Sequence, residues 1–306
     1  MDSGKIPLTR LFTRRNKKDK IIDILKNDKV CISCELFPPK QGTELQNSLE
    51  IVNKIAKVKP SYMSVTYGAG GSTVGYSAAL AKEVQDNGIP ALAHLTCIQA
   101  SEEKISSVLG QLSDNGIKNI LALRGDIPAG MEDADMGSFK HASDLMRYIK
   151  FKGDFCIGGA AYPEGHPESG SLVKDIENTK YKVDAGVDFL VTQMFFDNTI
   201  LYNYMFRLLS AGINVPVVPG IMPVTNAKQI NRICQLSGTK LPLQFRAMVE
   251  KFADKPAALQ QAGIAYATGQ IIDLISNGFS HVHIYTMNRP EIIGGIMENL
   301  SEIVKD

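Results

Sequence analysis

One joint, repeated along the chain, constrains the fold more than any other feature of the sequence. It occurs as Asn87-Gly88-Ile89-Pro90, Asn115-Gly116-Ile117-Lys118, Ala185-Gly186-Val187-Asp188, Ala211-Gly212-Ile213-Asn214 and Asn277-Gly278-Phe279-Ser280. Upstream of each lies a helical period, as in Ile105, Val108, Leu109 and Leu112 after the N-cap candidate Ser101. The glycine then stands where a left-handed residue ends a helix. Downstream come short apolar runs at 91–97, 119–124, 188–196, 215–222 and 281–287, rich in β-branched and small residues. They are too short for free-standing helices and predict buried parallel strands.

The runs 30–37, 62–67 and 155–162 have the same texture and bring the predicted count to eight strands separated by helical segments. Eight alternating units predict an α/β fold, a single (β/α)₈ TIM barrel. A doubly wound sheet is disfavoured because no G-x-G-x-x-G follows the first strand, and Gly68-Ala69-Gly70-Gly71 lacks that spacing. The 306 residues divide into a basic, helical N-terminal extension over 1–28 and the barrel over 29–306, with 241–254 as surplus before the last barrel helices.

Composition narrows the partners. At 44% hydrophobic and 21% charged the chain is globular rather than disordered. With 33 basic against 32 acidic residues the formal charge is +1, so no general pull toward nucleic acid or an anionic membrane is expected. No apolar stretch approaches the about 20 residues that span a bilayer. The N-terminus carries Arg10, Arg14, Arg15, Lys17, Lys18 and Lys20, but 21–25 is too short for a signal-peptide core, and a cytoplasmic location is expected. Cys31 and Cys34 form a lone C-x-x-C; three residues apart in a strand they face opposite ways and read as ordinary buried thiols.

Strand parity then predicts where polar groups meet. Ser33 and Glu35 oppose Ile32, Cys34 and Leu36; Ser64 and Thr66 oppose Met63 and Val65; His94 and Thr96 oppose Ala93 and Leu95. Arg124 and Asp126 oppose Leu121 and Leu123, Gln193 opposes Leu190 and Thr192, and His283 and Tyr285 oppose Val282 and Ile284. The polar sets are expected to converge inside the C-terminal mouth of the barrel. Unpaired polar burial costs about 1–3 kcal/mol per group, so a ligand explains the convergence better than structure alone.

The strand ends resemble the methylenetetrahydrofolate reductase family. The matching phrases are Cys34-Glu35-Leu36-Phe37-Pro38-Pro39-Lys40, Ser64-Val65-Thr66-Tyr67-Gly68-Ala69, Ala93-His94-Leu95-Thr96-Cys97 and Leu123-Arg124-Gly125-Asp126. They continue with Ala161-Tyr162-Pro163-Glu164-Gly165-His166-Pro167-Glu168, Thr192-Gln193-Met194-Phe195-Phe196-Asp197, Pro219-Gly220-Ile221-Met222-Pro223 and Tyr285-Thr286-Met287-Asn288-Arg289. The match runs from about residue 29 onward and resembles the short bacterial form, without a C-terminal regulatory domain. It implies an FAD-dependent oxidoreductase that takes hydride from NADH or NADPH and reduces 5,10-methylenetetrahydrofolate to 5-methyltetrahydrofolate in a ping-pong cycle, supplying methyl groups for methionine synthesis. A homo-oligomer is expected. The alternative is the same reduction fed by a companion redox protein; a third reading is a flavin- or folate-binding barrel without turnover.

By the same resemblance Glu35 is the general acid and Asp126 a second catalytic carboxylate near flavin and pterin, with Gln193, Gln229, Tyr285 and Arg289 on the folate substrate. Cofactor contacts map onto Thr66, Tyr67, Ala69, His94, Arg124, Gly125, Asp126, Tyr162, His166, Asp175, Asn178 and Lys182. Taken alone, an Arg124–Asp126 ion pair, a core Gln193 satisfied by backbone, a solvated face at Lys180-Tyr181-Lys182 and an Arg289 capping a helix C-terminus remain open. Two departures stand out: Ile233 sits where some members place a stacking aromatic, and Ser169 and Tyr181 occupy variable cofactor positions. No metal site is expected, since His166 and Glu168 have no matching ligand set.

Overall fold

In the computed structural model, which describes residues 20–39, 42–67, 74–127 and 137–305, strands and helices alternate as the repeated joint predicts. The strands are β1 (Cys31–Leu36), β2 (Met63–Val65), β3 (Ala91–Thr96), β4 (Asn119–Leu123), β5 (Cys156–Ala161), β6 (Phe189–Thr192), β7 (Val217–Val218), β8 (Gly220–Ile221) and β9 (His281–Ile284). All pair in parallel in the order β7-β6-β5-β4-β3-β2-β1-β9-β8. β7 and β8 are two halves of the predicted seventh strand, parted at Pro219; β7 pairs with β6 and β8 with β9, which closes the eight-stranded barrel. Pro219 has no N–H to give to a ladder, but its carbonyl accepts from His283 N at 2.8 Å.

Around the barrel lie α2 (Leu45–Ala56), α3 (Val74–Asp86), α4 (Glu102–Asp114), α5 (Ala142–Lys152), α6 (Leu172–Asp184), α7 (Asn198–Ser210), α8 (Ala227–Ser237), α9 (Leu243–Lys251), α10 (Pro256–Ser276) and α11 (Pro290–Asn299). Five of these helices, α3, α4, α6, α7 and α10, end at the repeated glycines, all with positive φ between 71° and 91°. At each joint the residue after glycine donates back to the carbonyl five residues earlier, as Ile117 N to Leu112 O at 2.9 Å and Ile213 N to Leu208 O at 2.9 Å. This is the Schellman closure, which satisfies the last helical carbonyls and tucks an apolar side chain under the helix end. Ile89, Ile117, Val187 and Ile213 are buried there. Each joint thereby aims the next strand into the barrel. The surplus at 241–254 forms α9, whose Phe245 and Val249 pack with Met194, Phe196, Val224 and Ile230.

The N-terminal extension departs from expectation. Its end forms α1 (Ile21–Leu25), placed outside the barrel by the division at residue 28, yet Ile21 and Leu25 are buried against Tyr62, Leu92, Leu121, Phe189 and Val218 inside it. Ile21 N donates to Asn119 Oδ1 at 2.8 Å, Asn119 Nδ2 donates to Ala91 O at 3.1 Å, and His281 Nε2 donates to Leu25 O at 3.2 Å. α1 is thus a plug that closes the end opposite the mouth. Asn119→Ala leaves the Ile21 amide without its acceptor in a dry setting, and urea denaturation should show a loss of about 2 kcal/mol.

The parity prediction holds in β1, β2, β3 and β9 and fails in β4. Leu121 packs in the interior cluster with Leu92 and Phe189, and Leu123 lies against it, while Ile120 and Ala122 face the helices. The register pairs His94 with Leu121 and Thr96 with Leu123. Arg124 and Asp126 are therefore not interior strand residues. They follow the end of β4, where the chain leaves the sheet.

Candidate active site

The interior polar residues stack in two levels above the apolar plug. In the lower one His283 is held on both ring nitrogens: Nδ1 lies 2.8 Å from Ser33 Oγ and Nε2 3.1 Å from Ser64 Oγ. Burial pushes its pKa down to about 3, so the ring is neutral. Tyr62 stacks on it at 5.7 Å and Tyr285 meets it edge-on at 5.5 Å. In the upper level Glu35, 7% exposed, stands at the end of β1 with its Oε2 3.6 Å from His94 Nε2. Burial moves the two in opposite directions, Glu35 up to about 8 and His94 down to about 3. The separation is that of an ion pair, but near neutrality both groups are uncharged. A carboxylic acid carrying its proton therefore sits in the mouth, beside an imidazole whose buried Nε2 has no hydrogen-bond partner among the described residues.

Tyr285 does not reach into the mouth as a free hydroxyl. Its OH donates to Thr192 O at 2.5 Å, and Gly220 N donates to Thr192 Oγ1 at 2.8 Å. A Cβ on Gly220 would come within 2.6 Å of the Tyr285 hydroxyl, so the glycine makes room for the ring. Gln193 uses Oε1 to accept from Met194 N at 3.0 Å, in line with the backbone-satisfied reading, and its Nε2 is the end it offers to a ligand. Thr66 accepts from Ser77 Oγ at its carbonyl, and Tyr67 is half-buried beside it. Ala69 lies outside the described residues.

A second group forms one wall, from the end of β4 to α6. Arg124 binds Glu168 through both terminal nitrogens at 2.6 and 2.7 Å, so the ion pair considered with Asp126 is made with Glu168 instead. Asp126 is exposed. Gly125 has φ +91°, and a Cβ there would come within 2.8 Å of Ile98 and 3.1 Å of Thr96. Tyr162 packs edge-on to His166 at 4.6 Å, with the Lys182 ammonium 5.6 Å from its centroid. Lys182 Nζ turns inward and donates to Ala160 O at 2.7 Å, which takes it off the solvated face that Lys180 and Tyr181, both exposed, do form; burial lowers its pKa. Asp175 is 3% exposed, accepts from Ser169 Oγ at 2.9 Å through Oδ1, and leaves a buried Oδ2 with no partner among the described residues. Asn178 Nδ2 lies 3.4 Å from the same Ser169 hydroxyl. An anionic ligand here would meet Arg124, Lys182 and His166, while ligand hydroxyls or amines would meet Asp175.

The third group lies across the mouth. A shallow, open recess is lined by Met222, Thr225, Gln229, Ile230, Ile233 and Met287, among others. Gln229 is exposed on the first turn of α8, where its amide is capped by Asn226. Arg289 caps no helix C-terminus. It occupies the position before α11 and donates to Thr225 Oγ1 and Gln260 Oε1, both at 2.6 Å, and to Glu291 at 2.8 Å. Among the described residues no group of three or more His, Cys, Asp or Glu is placed to hold a metal ion, and no helix is long and apolar enough to cross a membrane.

With this geometry in view, the family model for methylenetetrahydrofolate reductase matches residues 20–301. The chain belongs to that family. The match includes α1, which the sequence phrases did not reach. The chain is 35% identical over 270 residues to the 5,10-methylenetetrahydrofolate reductase of Escherichia coli, covering 88% of this chain and 90% of that one. It is 36% identical over 299 residues to methylenetetrahydrofolate reductase (NADH) 1 of Arabidopsis thaliana, 93% of this chain but 50% of the plant protein. The chain thus spans about half the length of the plant relatives it matches. Among solved structures, an uncharacterized protein from Clostridium thermocellum that binds two copies of 5-methyl-5,6,7,8-tetrahydrofolic acid aligns with a TM-score of 0.65 at 14% identity, covering 92% of this chain and 97% of that one; at that identity the shared property is the fold.

Glu168, the partner that holds Arg124, carries no sequence signal for that role beyond its place in a family phrase and in the unsupported metal pair with His166. Thr286 and Asn288, which bind the backbone around Glu35, carried no sequence signal beyond their place in the last family phrase.

Proposed function

We propose that this chain reduces 5,10-methylenetetrahydrofolate to 5-methyltetrahydrofolate, using FAD and a reduced nicotinamide. The observation that carries the reading is Glu35, a buried carboxyl held protonated near neutrality in the barrel mouth. Opening the five-membered ring of the substrate requires a proton at the departing nitrogen, and a protonated glutamic acid can supply one where an ordinary carboxylate cannot.

The residues present fit FAD. Arg124, Lys182 and His166 offer donors to a diphosphate, and the unpartnered buried atoms His94 Nε2 and Asp175 Oδ2 are polar groups awaiting a ligand. When bound, FAD would supply the hydride chemistry between nicotinamide and folate. The chain's part is different. It holds the proton on Glu35, excludes water from that carboxyl, and presents Asp126 and the Gln193 amide to the polar edge of the pterin. The plant relative named for NADH favours NADH as the donor.

The visible spectrum of purified protein tests the reading. Flavin absorption should bleach anaerobically with NADH and return on adding methylenetetrahydrofolate; bound flavin that NADH leaves oxidised would favour a companion redox protein as donor. Two further results are expected. The folate half-reaction should be flat at lower pH and fall as pH rises through about 8, because Glu35 is competent only in its acid form and loses its proton there. Asp126→Asn should weaken folate binding and raise the flavin potential, since a negative group beside the flavin disfavours its anionic reduced form; titration and redox potentiometry read the two effects separately.

A further inference from the structure

The ladder between β1 and β9 ends at the pair Cys34 and Ile284, one residue before Glu35. Beyond that point side chains from the segment after β9 take over. Thr286 Oγ1 donates to Glu35 O at 2.8 Å. Asn288 then grips Phe37 twice, accepting from Phe37 N through Oδ1 and donating to Phe37 O through Nδ2, both at 2.8 Å. The carboxamide reproduces a strand pairing where no strand exists. Phe37 is also the last place such a grip can be made, because Pro38 and Pro39 follow and neither has an N–H.

The gripping segment has an unusual backbone. Met287 and Asn288 are both left-handed, at φ +52° and +57°. Asparagine tolerates that region, but methionine seldom adopts it. Such conformations persist only where surrounding contacts over-determine them. Here the segment is pinned to β1 by Thr286 and Asn288, and on its other side by Arg289, which binds Thr225 and Gln260.

From this arrangement, and resting on the reading of Glu35 as the acid, we infer that Asn288 is a positioning residue for the reaction: by pairing with Phe37 it fixes the end of β1 and keeps the Glu35 carboxyl in its dry place. Asn288 touches neither substrate nor cofactor in this role. The titratable groups facing Glu35 are His94 from β3 and Tyr285 from beyond β9, with the adjacent Cys34 thiol on the other face of β1. His94 is uncharged near neutrality, and burial holds the Tyr285 hydroxyl and the Cys34 thiol in their protonated forms. The acid therefore owes its proton to burial, which a loosened strand end would relax.

Asn288→Gly separates the grip from the backbone shape, since glycine adopts the left-handed conformation without cost but has no amide to offer. In the full-length holoprotein, the infrared carboxyl band of Glu35, isolated by subtracting the spectrum of Glu35→Gln, is titrated against pH without substrate. The expected result is a midpoint at least one pH unit lower than in the unaltered protein, with a tenfold or greater fall in the single-turnover rate of folate reduction. An unchanged midpoint would overturn the inference and leave Asn288 a turn residue only. Should Asn288→Gly fail to fold, Asn288→Ala, which also removes both hydrogen bonds to Phe37 and adds no charge near Glu35, carries the same titration and the same criterion. Because the band is read without folate, a chain with no folate reductase activity would still answer the question about Asn288.

Discussion

Glu35→Gln should leave the flavin bound and reducible by NADH, while the folate half-reaction slows by about 10²- to 10⁴-fold, the usual contribution of a positioned general acid. Glutamine has the shape and neutrality of the protonated acid, so the dry pocket is preserved; what it lacks is a proton to give. That distinction also predicts a stability effect. A carboxyl whose folded pKa is raised to about 8 from an unfolded value of about 4.3 makes the native state bind the extra proton between those limits. Its contribution is complete below about pH 4.3 and is lost as pH rises to about 8. Glu35→Gln should remove that downward slope, seen as a thermal midpoint less sensitive to pH in this window. Stopped-flow traces of the two half-reactions and a pH series of melting curves check both effects. Equal slowing of both half-reactions would falsify the role assigned to Glu35.

Much of the architecture was legible in the sequence because it rests on local chemistry. A glycine that must be left-handed, an apolar residue after it and a short β-branched run are each determined within a dozen residues, and all five repeated joints close as expected. Glu35, His94 and His283 were placed by simple alternation, which the barrel preserves where strands continue. What escaped were relations between distant segments. The failure in β4 is one of phase: Leu121 and Leu123, inside the ladder, face the interior, so the polar residues at 124 and 126, beyond its last residue, do not mark the inward face. The plug was missed because the burial of Ile21 depends on Asn119, 98 residues away. For Arg124 and Arg289 the sequence offers an anionic ligand, or else an Asp126 pair and a helix cap, whereas the fold engages both with other partners, one with Glu168 and the other with Thr225, Gln260 and Glu291. A ligand that binds them must compete for those partners, and that lowers the affinity either cation can contribute.

The same dependence on distant contacts reverses an ordinary expectation at Gly263. In the middle of a helix, replacing glycine by alanine usually stabilises by about 1 kcal/mol, and α10 is 21 residues long with Gly263 in its first half. A Cβ at Gly263, however, would fall 1.8 Å from Val224 O and 2.8 Å from Val224 C. The helix cannot retreat, because Leu259, Ala267, Ile271 and Leu274 are buried within 1% exposure along it. The loop carrying Val224 must therefore move, and with it Thr225, the partner of Arg289. Overpacking of this kind costs about 1–3 kcal/mol, and the unyielding backbone neighbour puts Gly263→Ala at the upper end, with a weakened folate KM as the loop lining the recess shifts. Gly269, exposed in the same helix with nothing within 4 Å of its would-be Cβ, supplies the control: Gly269→Ala should gain about 1 kcal/mol in urea denaturation. If both alanines stabilise alike, helix propensity governs α10 and its close approach to Val224 is not a constraint on the mouth.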